Sequence, residues 1–365
     1  MSFDPKRYDA HISNSITILR LAVLISLIVF GLGVNISAQD LSPAEERLAG
    51  VDTWFYYILI DETVDDVIEQ VVASDYDMVV IDPIITERDS TDHDIQSAVN
   101  AIQESGKIVI AYIDIGQAED YRIYWQNDWQ VGDPEWIVSE DPDGWTGNYP
   151  VAYWWDEWRE IWLDENEGLL QLLLDIGFDG IYLDWVEAYS DEDVVAFAQQ
   201  DGVDATQEMI WFVSDLSEYG KSQRSDFIVI SQNAAELAEY DEYLAVIDAI
   251  SQEQTWFDGA AEGVEGDCPL PATDTNIDTD AYYQSLAAEC QELYTLFPES
   301  TLHVSSQEYL YYLTMARDKG EIIFTVDYAL QAENVAWIYE TSRSYGFVPF
   351  VGPRPLNRYL PPFEG

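Results

Sequence analysis

Gly180-Ile181-Tyr182-Leu183-Asp184-Trp185 is an apolar run that ends in a carboxylate, with an aromatic ring directly behind it. A stretch apolar on both faces suits a strand buried between two layers, as in a parallel sheet. A carboxylate at the tip of such a strand ionises only with support from partners, so the same six residues predict a chemical site at the strand's C-terminal end. Outward from this stretch the pattern recurs. Strands are predicted at Trp54–Ile60, Met78–Asp82, Lys107–Asp114, Gly180–Asp184, Phe227–Ser231, Leu244–Ile250, Glu321–Asp327 and Gly346–Val351. Between them lie helix-period stretches: Val64, Val67, Ile68, Val71 and Val72; Trp158, Ile161, Trp162 and Leu169; Ala332, Val335, Ala336 and Tyr339. Strand, helix, strand, repeated, implies parallel pairing. Eight such strands predict an α/β protein, a closed (β/α)8 TIM barrel, in preference to an open doubly wound sheet, because closure leaves no edge exposed.

After Val351 the chain runs Gly352-Pro353-Arg354-Pro355 and ends at Gly365, which predicts a barrel without its final helix and some other cover for the last strand. Two connections, Gly116 to Pro150 and Ser251 to Asp280, exceed ordinary loop lengths. They follow the third and sixth strands, on the side where barrels build their sites. No internal repeat and no Gly/Ser linker divides the chain, so residues 51–365 are expected to form one domain.

Fifteen Lys+Arg stand against seventy Asp+Glu, a formal charge of −55 that repels phosphate backbones and excludes nucleic acid as a partner. The charge is spread over the whole length and only four of the basic residues are Lys, which reads as a surface adapted to strong salt. Leu21 to Ala38 carries no charge and follows Lys6, Arg7 and Arg20. That is either the apolar part of a signal peptide or a minimal membrane span, so residues 1–38 predict export, with or without anchoring, and 39–50 a linker. Cys268 and Cys290 are the only cysteines; in an oxidising compartment they close a disulfide, and otherwise they are two free thiols.

The predicted strand ends are acidic in turn: Asp82, Asp114, Asp184, Glu253 and Asp327. Asp184 is the sharpest candidate. Glu253 follows the apolar run Ala245 to Ile250 and precedes Trp256, and apolar surroundings favour the neutral form that a general acid needs. Two carboxyls facing each other across a barrel mouth can protonate a leaving oxygen and attack the sugar or activate water. Tyr112, Trp185, Tyr189, Trp256 and Tyr328 offer flat faces for sugar rings, with ordinary packing as the alternative, and Asp82, Asp114 and Asp327 complete the candidate binding set. The three histidines, His11, His93 and His303, form no His-x-x-x-His pair, and no phosphate-binding glycine loop follows a strand, so neither a metal nor a nucleotide cofactor is predicted. Asp274, Asn276, Asp278 and Asp280 resemble half a calcium loop without its Gly and closing Glu, and read as a solvated acidic loop.

Lys107 to Gly116 (KIVIAYIDIG), Gly177 to Tyr189 (GFDGIYLDWVEAY), Ile247 to Trp256 (IDAISQEQTW), Ile323 to Tyr328 (IFTVDY) and Gly346 to Tyr359 (GFVPFVGPRPLNRY) together resemble the glycoside hydrolase family 114 barrels of the endo-α-1,4-polygalactosaminidase type, over roughly residues 50–360. The resemblance implies a (β/α)8 fold, a secreted or surface location and cleavage of α-galactosaminidic bonds, with the strand-four Asp and strand-six Glu as the catalytic pair. These map onto Asp184 as nucleophile and Glu253 as acid/base. Where members of the family carry Pro-Asp-Asn-Val-Asp, this chain has Leu183-Asp184-Trp185-Val186-Glu187, so Trp185 reshapes the neighbouring subsite. The expectation is therefore an exported hydrolase of an amino-sugar or galactose-containing polysaccharide; the alternative is a barrel that binds surface glycan without cutting it.

Overall fold

Eight parallel strands pair in chain order: Trp54–Tyr57, Met78–Ile81, Ile108–Asp114, Gly180–Asp184, Ile228–Gln232, Ala249–Glu253, Ile322–Tyr328 and Val348–Gly352. The computed structural model describes residues 41–59, 64–83, 94–142, 145–164, 166–259, 265–297 and 300–365; the expected export segment, His11 and His93 lie outside them. Helices lie between the strands, giving the (β/α)8 barrel predicted from the alternation. Side chains alternate along each strand. Trp54 and Tyr56 point inward and meet Tyr182 and Phe324 at centroid separations of 5.1 to 6.3 Å, while Phe55 packs outward on Tyr76 and Tyr359. Rings of this size fill the interior and leave the barrel a packed core.

The first and eighth strands meet at a seam joined by side chains. The Trp54 indole N–H donates to the Val348 carbonyl at 3.1 Å, and Phe350 lies against both Trp54 and Phe55. After Gly352 the chain continues without a helix to Gly365 and covers this seam. Ile58 N–H donates to the Leu356 carbonyl at 3.1 Å, the Tyr76 hydroxyl donates to the Leu360 carbonyl at 2.9 Å, and Phe363 stacks on Tyr339 at 4.2 Å.

Two segments differ from the sequence reading. The sixth strand, expected at Leu244–Ile250, runs from Ala249 to Glu253. Asp241–Leu244 is a helical turn, and the buried Leu244 and Ile247 pack beneath the barrel before the strand begins. An apolar run marks burial, not its geometry, and here it marks a turn. The shift makes Glu253 the last residue of the strand. The second difference is the linker expected at 39–50, whose end is the helix Pro43–Leu48, started by a reciprocal cap between Ser42 and Glu45. Ala44 and Leu48 are buried, and Arg47 pairs with Asp179 at 2.7 Å and Asp226 at 3.1 Å across the barrel floor.

The connection after the third strand carries a hairpin of Gln117–Glu119 with Asn148–Pro150 and packs Trp129, Trp136 and Trp158 in series. The one after the sixth strand pairs Phe257–Asp258 with Cys268–Pro269 and adds helices Asp280–Ser285 and Ala288–Leu296. It has its own small core, in which Leu270, Tyr282, Leu286, Leu293 and Leu302 surround a Cys268–Cys290 disulfide with Cα atoms 5.5 Å apart. Asp274 and Asp278 of the acidic stretch accept hydrogen bonds from Ser305 and Tyr294. Among the described residues no group of three or more His, Cys, Asp or Glu gathers to hold a metal. A bridge over 22 residues restricts the unfolded chain by about 3 kcal/mol. The Cys268→Ser/Cys290→Ser double variant is therefore expected to melt several degrees lower; calorimetry showing the same transition would contradict this.

Candidate active site

The fourth, fifth and sixth strands end in the same way. Asp184, Gln232 and Glu253 are their last residues, and Trp185, Asn233 with Ala234, and Gln254 follow in the left-handed region, with φ between 51° and 57°. Residues other than Gly adopt this conformation at a cost of about 1 kcal/mol or more, and such residues cluster at functional sites. Here the main chain swings away at each tip, leaving the terminal side chains at the barrel mouth. Gly116 permits a matching approach from the third strand: a Cβ there would sit 2.1 Å from the Trp185 carbonyl oxygen.

Asp184 and Glu253 face one cavity of about 470 Å³. Asp184 accepts the Tyr112 hydroxyl on Oδ2 and its neighbour Trp185's N–H on Oδ1 at 2.9 Å. Glu253 accepts the Tyr328 hydroxyl on Oε1, and on Oε2 the Gln232 amide and the Asn233 amide, the latter at 3.4 Å. Gln232 is itself oriented by the Tyr56 hydroxyl, which donates to its Oε1 at 2.8 Å. Burial and the charge of Glu253 push the Asp184 carboxyl up to about 7, against the hydrogen bonds from Tyr112 and Trp185.

Two further acids flank Asp184. Asp114 is its cross-strand partner, with Oδ1 accepting the N–H groups of Gly116 at 3.1 Å and Gln117 at 2.7 Å. Glu187 lies on the turn beyond Trp185, its Oε1 accepting from Asn233 Nδ2 at 2.8 Å. Among the described residues no donor reaches Asp114 Oδ2 or Glu187 Oε2, and both atoms are buried. Burial and the neighbouring charge of Asp184 push both carboxyls upward. On the cavity wall Arg122 places its fork on Asp82, at 3.0 and 2.8 Å, and on Glu119, at 2.6 and 3.0 Å, with all three groups buried.

Of the residues expected from sequence, Asp82, Tyr112, Asp114, Asp184, Trp185, Tyr189 and Glu253 line the cavity. Tyr328 stands behind Glu253 and reaches it through its hydroxyl. Asp327 and Trp256 do not reach the cavity. The seventh strand continues to Tyr328, so alternation turns Tyr328 inward and Asp327 outward. There Asp327 Oδ1 accepts the N–H groups of Trp256 at 2.7 Å and Phe257 at 3.0 Å, while the Trp256 indole donates to Ser342 Oγ at 2.9 Å. The expected disulfide residues Cys268 and Cys290 belong to the insertion described above. Sequence reasoning passed over Glu187, Gln232 and Asn233, although all three sit within two or three residues of a strand tip. Glu119, from the hairpin after the third strand, and Arg122, Trp145 and Arg354, from loops, carry no local signal; their place is visible only in three dimensions.

Paired carboxyls in one cavity, at the C-terminal mouth of a parallel barrel, put the chain in the class of glycoside hydrolases. The sequence profile of glycoside-hydrolase family GH114 matches residues 37–361, and the chain belongs to this family. An uncharacterised protein of Deinococcus radiodurans is 31% identical over 288 residues, 79% of this chain and 76% of its own length. Another from Thermotoga maritima is 26% identical over 338 residues, 90% of this chain and 88% of its own. Among solved structures, Aspergillus fumigatus Ega3 in complex with galactosamine is similar with a TM-score of 0.52 and 16% identity, over 85% of this chain and 94% of that one. The glycoside hydrolase domain of Pseudomonas aeruginosa PelA is similar with a TM-score of 0.54 and 16% identity, over 85% of this chain and 97% of that one. At these identities the two structures are alike in fold.

Proposed function

We propose that this protein is an exported, endo-acting hydrolase of a polysaccharide built from cationic amino sugars, with α-1,4-linked galactosamine chains as the first candidate. The observation that carries the amino-sugar reading is the acidic lining of the cavity, where Asp114, Glu187 and Glu236 join Asp184 and Glu253. A ligand ammonium group brings three N–H donors and a positive charge to such a place, while a neutral sugar brings hydroxyls alone. The fold shared with a protein solved with galactosamine agrees with this reading. Trp185 and Tyr189 inside the cavity, and Trp145 at its rim, supply faces for sugar rings. Export rests on the uncharged stretch Leu21 to Ala38.

In this reading the Asp184 carboxylate attacks the anomeric carbon as Glu253 transfers its proton to the departing glycosidic oxygen. The carbon–oxygen bond to the leaving sugar breaks and a bond to Asp184 forms. Glu253 then takes a proton from water, the water oxygen attacks the same carbon, and Asp184 departs as a carboxylate, so configuration is retained. Tyr112 and the Trp185 N–H hold Asp184 for attack; Tyr328, Gln232 and Asn233 hold Glu253.

Release of reducing ends in molar salt, from α-1,4-galactosamine polymer with free amines and from its N-acetylated form, tests the proposal. The free-amine polymer is expected to be cleaved, and Glu253→Gln to remove the cleavage. Asp114→Asn and Glu187→Gln each remove a charge-assisted contact and are expected to lower kcat/KM on the free-amine polymer about 10- to 100-fold, with little change on any acetylated substrate. Stable binding with no new reducing ends would show a glycan-binding barrel instead, and preference for the acetylated polymer would overturn the ammonium reading.

A further inference from the structure

Arg354 lies two residues past the end of the eighth strand. Its guanidinium is held between two rings, 4.9 Å from the centroid of Tyr328 and 5.2 Å from that of Trp145. Its Nη1 donates to the Tyr328 hydroxyl oxygen at 3.3 Å. Tyr328 is also pressed from behind: a Cβ at Gly259 would come within 2.4 Å of Tyr328 and 2.8 Å of Arg354, and one at Gly266 within 2.6 Å of the Tyr328 carbonyl oxygen. The loop after the sixth strand thus fits against this pair only with glycine at both places.

The direction of these hydrogen bonds follows from chemistry. Arginine has donors and no acceptor and keeps its charge at any working pH, so the tyrosine oxygen accepts from Arg354. The tyrosine's own proton is then committed to Glu253 Oε1. We propose that Arg354 is a positioning residue for catalysis: through the Tyr328 hydroxyl it fixes a donor on Glu253 and stabilises the carboxylate that forms there when the proton leaves for the glycosidic oxygen. This rests on the reading of Glu253 as acid/base. The titratable and charged groups facing Glu253 are Asp184 and Glu187 from the fourth strand and its turn, Tyr182 and Tyr56 from the fourth and first strands, and Tyr328, backed by Arg354. The acids and Arg354 act on it in opposite directions, and loss of Arg354 leaves only the neutral donors Tyr328, Gln232 and Asn233 among the described residues to oppose the acids.

The test follows the Glu253 carboxyl directly, by 13C NMR titration of the full chain labelled at the glutamate carboxyl, with the signal assigned by its loss in Glu253→Gln. Arg354→Met is expected to move the titration midpoint up by about half to one pH unit, and the alkaline limb of kcat/KM with it. Its kcat is expected to fall about tenfold with KM little changed, and Arg354→Lys, which keeps the charge, to recover part of the shift. Tyr328→Phe is expected to move the midpoint in the same direction, and Arg354→Met added to it to give no further shift, because the connecting hydroxyl is gone. An unchanged midpoint in Arg354→Met, or an equal shift with and without the Tyr328 hydroxyl, overturns the proposal. Should Arg354→Met fail to fold by circular dichroism, the Arg354→Lys and Tyr328→Phe titrations decide it alone. Hydrolysis retained by Glu253→Gln would defeat the acid/base reading, whereas an unmoved midpoint beside an inactive Glu253→Gln defeats only the role of Arg354.

Discussion

Asp184→Asn is expected to abolish hydrolysis and at the same time to stabilise the fold above pH 7. In the proposed role of Asp184 as nucleophile, its loss lowers kcat by at least about 10⁴-fold. The stability change follows from the raised carboxyl, which burial and Glu253 push up to about 7 from an ordinary 3.8. A group whose folded value is raised contributes stability fully present below its unfolded value, and that contribution is lost as pH rises through the folded value. Above about pH 7 the native protein therefore carries a buried, repelled charge that asparagine does not have. The linkage amounts to about 4 kcal/mol at most, which corresponds to a rise of several degrees in Tm at pH 8 and none near pH 3. Calorimetry of both proteins at the two pH values checks it: a gain of equal size at acid and alkaline pH would show that the charge of Asp184 is not its origin, and retained turnover would remove Asp184 from the chemistry.

The second large effect is at Arg122, which contributes no expected chemistry. Its fork neutralises Asp82 from the second strand and Glu119 from the hairpin after the third, all out of water. Arg122→Met takes the guanidinium away from two buried carboxylates, a change expected to destabilise the protein by about 3–5 kcal/mol in urea denaturation. The triple variant Arg122→Met/Asp82→Asn/Glu119→Gln removes the two acids' charges as well and is expected to regain most of that loss. A single variant within about 1 kcal/mol of the parent would mean that water or another group already satisfies the two acids. Because Asp82 and Glu119 also line the cavity, the single variant is expected to lose activity out of proportion to the fraction unfolded, while the triple variant separates the wall's shape from its charge.

The barrel was legible where strands are apolar on both faces and stop abruptly. The fourth strand is bounded by Gly180 and Asp184 in the sequence reading and in the structure. The sixth was misplaced because Leu244 and Ile247 are buried in a turn, while the true strand ends in the polar Ser251-Gln252-Glu253 that the site requires. Asp327 faces away from the mouth because the seventh strand ends one residue later than its apolar run suggests, which exchanges the two faces; Trp256 lies in the loop beyond the sixth strand, where no alternation guides the reading. Glu253 closes the sixth strand three residues beyond the apolar run, and its side chain lines the cavity. The helix at Pro43–Leu48 was readable in principle from Ser42 and Glu45. Arg122, Trp145 and Arg354 were not, since loop residues brought together from positions over 200 apart leave no period to detect.

The left-handed residues behind the fourth, fifth and sixth strands bear on how this enzyme can be redesigned. Each connecting segment leaves the barrel in a direction set by its first one or two residues, before any of its own sequence matters. Replacements grafted behind Trp185, Ala234 or Gln254 would then keep the three tips in their present aim where Glu187, Gly259 and Gly266 are retained.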